Sequence, residues 1–258
     1  MGQDFPGMFG GFGLGQTLKR WQRALRVPKD LPSGELQRMA GDLKGLRDRL
    51  DVMSAQARSE LRARRPDATD GIDRPDQCDW AERPAPWRSE MRPRGVVDLG
   101  SPQPLAGGIT VFHDANHADF SLVQDRTPPW VTGAEFGLVL DVYRSDGSFI
   151  SFVQDLPEAA LVDLTRNHFI ALKLIAEREQ PVEIFARLNV QHGPNVEQIV
   201  RQLDFDGTEG KAEFDLAYSK INEKRIEKAW LDLIIEGPKM TRIALWDMVL
   251  VRAPRADI

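Results

Sequence analysis

Residues 182–191 carry Glu183, Phe185, Arg187, Asn189 and Gln191 at every second position, against Ile184, Ala186, Leu188 and Val190 in between. Alternation at period two is the mark of a strand and puts the two sets on opposite faces. The next segment adds Gln198 and Gln202 on one side, with Ile199, Leu203 and Phe205 opposite. Planar amides and a guanidinium hold donors and acceptors in fixed pairs, a match for the neighbouring hydroxyls of a sugar. An aromatic ring beside them offers an apolar face to the sugar's C–H groups, and Tyr143, Phe185 and Trp246 are candidates. The chemistry is that of glycan or polysaccharide binding. The competing reading is a solvated sheet face, polar because it meets water.

Two further clusters extend this candidate set. His192-Gly-Pro-Asn195 reads as a tight turn, in which His192 and Asn195 either shape the turn or face a ligand. Asn222-Glu-Lys-Arg225 offers Asn222 and Arg225 either to grip an anionic sugar or to fasten a loop through charge pairs. The candidate ligand-binding residues are therefore Tyr143, Arg187, Asn189, Gln191, His192, Asn195, Asn222 and Arg225.

Catalytic and metal chemistry find less support. His113 and His117 stand four apart at a strand end, with His168 and His192 distant in sequence, and a zinc site needs three or four ligands in fixed geometry. Asp114 and Asn116 between them suit a turn that bonds its own backbone. Glycoside hydrolysis needs two converging carboxylates, for which Asp141, Glu183 and Glu213 are the strand-borne candidates. Cys78, the one cysteine, lies beside Asp79, a neighbour that raises a thiol pKa. No phosphate-binding glycine loop and no nucleophile elbow occurs. No catalytic residue, metal or cofactor is expected.

The elements that must position these residues follow from the same periodicity. From Ile109 onward, strands are predicted at 109–113, 119–124, 136–143, 149–154, 168–177, 182–191, 196–205, 211–218, 230–236 and 241–252. Asp146-Gly147 between 136–143 and 149–154 predicts a hairpin. Residues 157–164 read as a short helix behind Pro157, and 219–229 as a loop or short helix. Even spacing and short turns point to an antiparallel β-sandwich, jelly-roll-like, over 109–258. Residues 66–108 are rich in Pro, Asp and Arg. Trp80 and Trp87 make the part at 79–88 a strap tacked onto the sandwich rather than a free linker.

Residues 1–65 read as a basic helical arm. Leu14, Leu18, Trp21 and Leu25 mark an amphipathic helix near 14–27, able to meet an anionic membrane surface or to pack on its neighbour. A second helix near 34–63 carries Leu36, Met39, Leu43, Leu46, Leu50, Met53 and Ala57 at alternating spacings of three and four, with Ser33 as its cap. This seam supports self-association through a coiled coil; a helical hairpin, or a helix laid on the sandwich, competes. Residues 1–95 hold 18 Lys and Arg against 14 Asp and Glu, and the remainder 16 against 25. With Trp21 alone among the basic residues of the arm, nucleic-acid binding is not expected. One cysteine and the lack of a charged start with an apolar run suggest a cytoplasmic protein.

Asp79-Trp80 with Arg83-Pro84 and Trp87-Arg88, Asp146-Gly-Ser-Phe149, Ile184-Phe-Ala-Arg-Leu-Asn189, His192-Gly-Pro-Asn195, Asn222-Glu-Lys-Arg225 and Glu236-Gly-Pro238 resemble segments of an uncharacterised family of unknown function from Rhodobacter-like alphaproteobacteria. The resemblance runs from about Trp80 to the C-terminus, omits the heptad helix, and implies a bacterial protein but no activity. Three functions stay open: a non-catalytic carbohydrate-binding module with a helical interaction arm, a structural or oligomerisation scaffold, and a sugar-processing enzyme.

Overall fold

Strands form wherever apolar residues alternate after residue 108. The structure, a computed structural model, describes residues 32–63 and 71–255. The helix predicted at 14–27, and with it the proposed membrane contact, lies outside the described residues. One described helix, α1 (Ser33–Ala63), matches the predicted heptad segment. The amides of Glu35 and Leu36 donate to the carbonyl of Pro32 (2.9 and 3.1 Å), so Pro32 and not Ser33 is the cap residue. No described helix is long and apolar enough to cross a membrane.

The remaining described chain is mainly β. Short strands β1 (Trp80–Glu82), β2 (Gly95–Val97) and β3 (Gln103–Pro104) precede β4 (Ile109–His113), β5 (Ala118–Arg126), β6 (Phe136–Ser145), β7 (Phe149–Asp155), β8 (His168–Arg178), β9 (Ile184–His192), β10 (Asn195–Gln202), β11 (Asp204–Asp206), β12 (Glu209–Asp215), β13 (Ile226–Glu236) and β14 (Thr241–Pro254). Single helical turns occur at α2 (Ala85–Arg88) and α3 (Glu158–Leu161). Among the described residues the strands make two antiparallel sheets. Sheet A runs β11-β12-β8-β14-β6-β5-β2, with β1 also on β14, and sheet B runs β10-β9-β13-β7-β4-β3. Leu138, Leu140, Leu172 and Leu174 of sheet A meet Ile150, Leu188, Leu231 and Leu233 of sheet B in the core, each 1% exposed or less. This is the predicted antiparallel, jelly-roll-like sandwich.

The structure corrects the predicted hairpin. β6 pairs with β5 and β14, whereas β7 pairs with β13 and β4, so the chain crosses from sheet A to sheet B at Asp146-Gly147. The reason is a neighbouring loop. Asp114 accepts from the amides of Ser148 (2.7 Å) and Phe149 (3.2 Å), and Asp146 accepts from those of Asn116 and His117 (2.9 Å each). A Cβ at Gly147 would stand 2.7 Å from Asp114 Oδ1. Asp114 therefore ties down this crossing as well as bonding its own backbone. The predicted strand 196–205 likewise breaks at Leu203, whose amide donates to the Ile184 carbonyl, and β11 joins the other sheet. The predicted 211–218 strand ends at Asp215, followed by a 3-10 turn at Leu216–Tyr218, and β13 starts at Ile226, inside the predicted loop 219–229.

Residues 71–108 lie on the sandwich. Trp87 is fully buried, and its indole N–H donates to the Leu245 carbonyl (2.9 Å). At the start of β1, Arg252 donates to both oxygens of Asp79 (2.9 Å each) and to the carbonyls of Ala160 and Val162. His168 Nε2 stands 3.3 Å from Asp79 Oδ2. Partial burial pushes the Asp79 carboxyl up, but the Arg252 hydrogen bonds and charge, with the charge of His168, outweigh it and hold it below the ordinary value. A carboxylate whose folded pKa is depressed stabilises the fold above its unfolded value, near about 3.9, and this contribution fades as pH falls through the folded value. Wild-type protein and an Asp79→Asn variant should therefore differ in thermal stability near pH 7 and converge below about pH 4. A constant gap across a melting series over that range would refute the latch.

Candidate ligand-binding groove

The outward residues of sheet B come into register as rungs across the strands. One rung runs Val200–Arg187–Asp232–Val153–Thr110, over β10, β9, β13, β7 and β4. Another runs Gln202–Phe185–Ile234–Ser151–Phe112, and a third Gln198–Asn189–Trp230–Asp155. The two central strands bury their alternate residues in the core, Ile184, Ala186, Leu188 and Val190 on β9 and Ala229, Leu231, Leu233 and Ile235 on β13. The rung residues of β9 and β13 are thereby committed to the outer face. These rungs floor a groove of about 720 Å³, walled by Phe112, Phe149, Phe185, Trp230, Ile234 and Val200.

A polar centre sits in this apolar surface. Asp232 is 2% exposed. Its Oδ2 accepts from Arg187 Nε (2.7 Å) and Nη2 (2.5 Å) and from Asn189 Nδ2 (3.3 Å). Asn189, fully buried, accepts in turn from Gln198 Nε2 (2.9 Å). The carboxylate tolerates burial because a guanidinium and an amide replace its water. Its other oxygen, Oδ1, and the hydroxyl of Ser151 are buried without a hydrogen-bond partner. Such unmet groups are rare in folded proteins and mark places where something else donates or accepts.

Of the residues expected at a binding site, Arg187, Asn189 and the ring of Phe185 meet here. Gln191 lies farther along β9, bonded to Glu227 (3.1 Å). Tyr143, on β6, and Trp246, on β14, belong to sheet A and do not line the groove. Trp246 is the bulged residue of β14, its N–H on Glu177 (2.6 Å), and Gly137 makes room for it. His192 is buried at the β9–β10 turn and Asn195 exposed. Arg225 packs its guanidinium over Gly193 of that turn, a Cβ there standing 3.0 Å away, and its carbonyl accepts from the Gly193 amide. Asn222 caps the 3-10 turn at Lys224, and Glu223 accepts from the Arg166 amide (2.6 Å). These bonds fasten 222–225 to its neighbours. Sequence reasoning missed Trp230, Asp232 and Ser151. The available signal was a lone carboxylate within the otherwise apolar run Trp230-Leu-Asp-Leu-Ile-Ile235.

The described residues hold no group of three His, Cys, Asp or Glu placed as metal ligands. His113 bonds the Leu99 carbonyl (2.9 Å) and packs edge-on against Phe120, while His117 pairs with Asp146.

All of residues 1–258 match a family of unknown function (DUF6478). The chain belongs to this family. The match takes in the heptad helix, so the family extends beyond the segment from Trp80 on which the resemblance rested. No curated protein matches the sequence. Solved structures similar to this family member are distant. The enzymatically active domain of tailspike protein 4 of bacteriophage CBA120 is 10% identical at a TM-score of 0.39, covering 55% of this chain and 19% of that one. A family 11 carbohydrate-binding module from Clostridium thermocellum, bound to a β-1,3-1,4-mixed-linked tetrasaccharide, is 12% identical at 0.38, covering 63% and 98%. A xylan-binding domain of family 22 is 9% identical at 0.39, covering 71% and 100%. The ligands named are those proteins' own.

Proposed function

We propose that the groove on the outer face of sheet B binds a saccharide chain without cleaving it. The observation that carries this is the pairing of unmet buried polar atoms, Asp232 Oδ1 and Ser151 Oγ, with the aromatic walls Trp230, Phe185, Phe149 and Phe112. A sugar is apolar on its ring faces and polar around its rim, so it meets both demands at once. The groove volume falls inside the roughly 300–1,000 Å³ of small-molecule clefts. Glu236 and Asp232, the carboxylates lining it, are four residues apart on one strand. That spacing separates their backbones by about 13 Å, and the Asp232 carboxylate is already bonded by Arg187 and Asn189 rather than free to serve as a glycosidase acid, base or nucleophile. The one cation in the lining, Arg187, is already paired with Asp232, so the groove has no track for a phosphate backbone.

Titration calorimetry of the full chain against soluble neutral and acidic polysaccharides tests the reading. At least one should bind at millimolar affinity or better, and Ser151→Ala should weaken it about 5- to 10-fold by removing a floor hydrogen bond. Silence across the panel, or binding indifferent to Ser151, would overturn it.

A further inference from the structure

Helix α1 presents a surface that the groove does not use. Four seam positions have described side chains: Leu43, Leu50 and Met53 are 47%, 55% and 53% exposed, and Leu36 is intermediate. Large apolar side chains held half in water along one helical stripe favour a covering partner. The seam recurs at strict intervals of three and four from Leu36 to Ala57, the repeat that lets two helices interdigitate over three heptads.

The charges beside the seam say what kind of partner fits. The sequence of α1 holds six basic residues, Arg38, Lys44, Arg47, Arg49, Arg58 and Arg62, and five acidic ones, Glu35, Asp42, Asp48, Asp51 and Glu60. Two copies therefore bring together almost no net charge. Taking Leu36, Leu43 and Leu50 as the first positions of each heptad, Asp42 flanks the seam on one side, as does Arg49, and Arg47 flanks the other. In a parallel pair Asp42 of one copy meets Arg47 of the second copy; in an antiparallel pair it meets Arg49. Either way the contact is made twice by symmetry and is attractive both times. Gly41 and Gly45 fall on the outside of the helix, with open space around each.

We propose that α1 is a self-association surface whose occupant is the α1 of a second copy of this chain, joined through the Leu36–Leu43–Leu50 stripe and keyed by Asp42. This inference is independent of the saccharide reading, since it uses none of the groove residues.

Sedimentation velocity of the full chain tests it. Wild type should sediment at twice the mass of its 29.1 kDa chain. Leu43→Asp with Leu50→Asp should yield monomer while the sandwich keeps its thermal transition. Because a carboxylate pair on α1 can also unwind the helix, a charge series stands beside it. Asp42→Arg, which turns two attractions into two repulsions, should weaken the dimer roughly tenfold. Adding Arg47→Asp and Arg49→Asp in the same chain should restore it. A monomeric wild type, or a dimer untouched by both the leucine and the charge variants, overturns the proposal. Docking of α1 on its own sandwich or on another protein would give the first of those outcomes.

Discussion

Arg83→Met will cost the protein about 3–5 kcal/mol of stability, the largest loss expected from a single side chain outside the core. Arg83 is 3% exposed and Asp247 5%. They form a two-pronged pair, Nε to Oδ1 at 2.7 Å and Nη2 to Oδ2 at 2.9 Å. Asp247 stands beside the bulge of β14, and Arg83 reaches it from the segment between β1 and α2. Close approach is built in, because a Cβ at Gly133 would lie 2.6 Å from the guanidinium. Methionine fills the space of the arginine stem but leaves the carboxylate buried with no cation. The loss is therefore the cost of an uncompensated charge and not the worth of the pair. Arg83→Met combined with Asp247→Leu should recover most of it, since replacing both members of a buried ion pair by apolar groups is close to neutral. Urea denaturation reads both. A single-variant loss below about 1 kcal/mol would mean that water reaches Asp247 and the fastening is weaker than its geometry. The groove, on the other sheet, should keep its saccharide affinity while the variant stays folded.

Trp230→Ala is expected to lower saccharide affinity about 30-fold or more, the loss typical of a central aromatic anchor. Trp230 stands in the rung between Asn189 and Asp155, with Lys228 Nζ 5.5 Å from its ring centre. It is half-buried and lines the groove. Its removal leaves Ala229 and Leu231 in place, and the circular dichroism spectrum should be unchanged. Phenylalanine at this position should restore part of the affinity, since it keeps a stacking face of smaller area. Calorimetry showing equal affinity in wild type and alanine variant would move the binding face away from Trp230. Loss in Trp230→Ala that tyrosine or phenylalanine fails to relieve would point to disruption of the Asp232 cluster.

Much of the sheet architecture could be read from residue order. β9 was legible to its inner and outer faces, because Ile184, Ala186, Leu188 and Val190 alternate with polar residues and alternation is a local property of the chain. The β9–β10 hairpin was legible for the same reason, since Gly193-Pro194 is a turn whatever surrounds it. The Asp146-Gly147 hairpin failed. The dipeptide does make the turn, but whether two strands pair after a turn depends on what else packs there, and the loop at 114–117 does.

For the site, sequence alone established a mainly β chain, an alternating strand bearing Arg187 and Asn189, and a heptad helix, all from spacing within one segment. Tertiary structure decided which strand lies beside β9. β13 inserts between β7 and β9 though separated from both in sequence, and it brings Trp230 and Asp232 to Arg187. Side-chain alternation is set by neighbouring backbone torsions, whereas lateral order in a sheet is set by the burial of all inner faces together. The groove's polar centre is a product of the second.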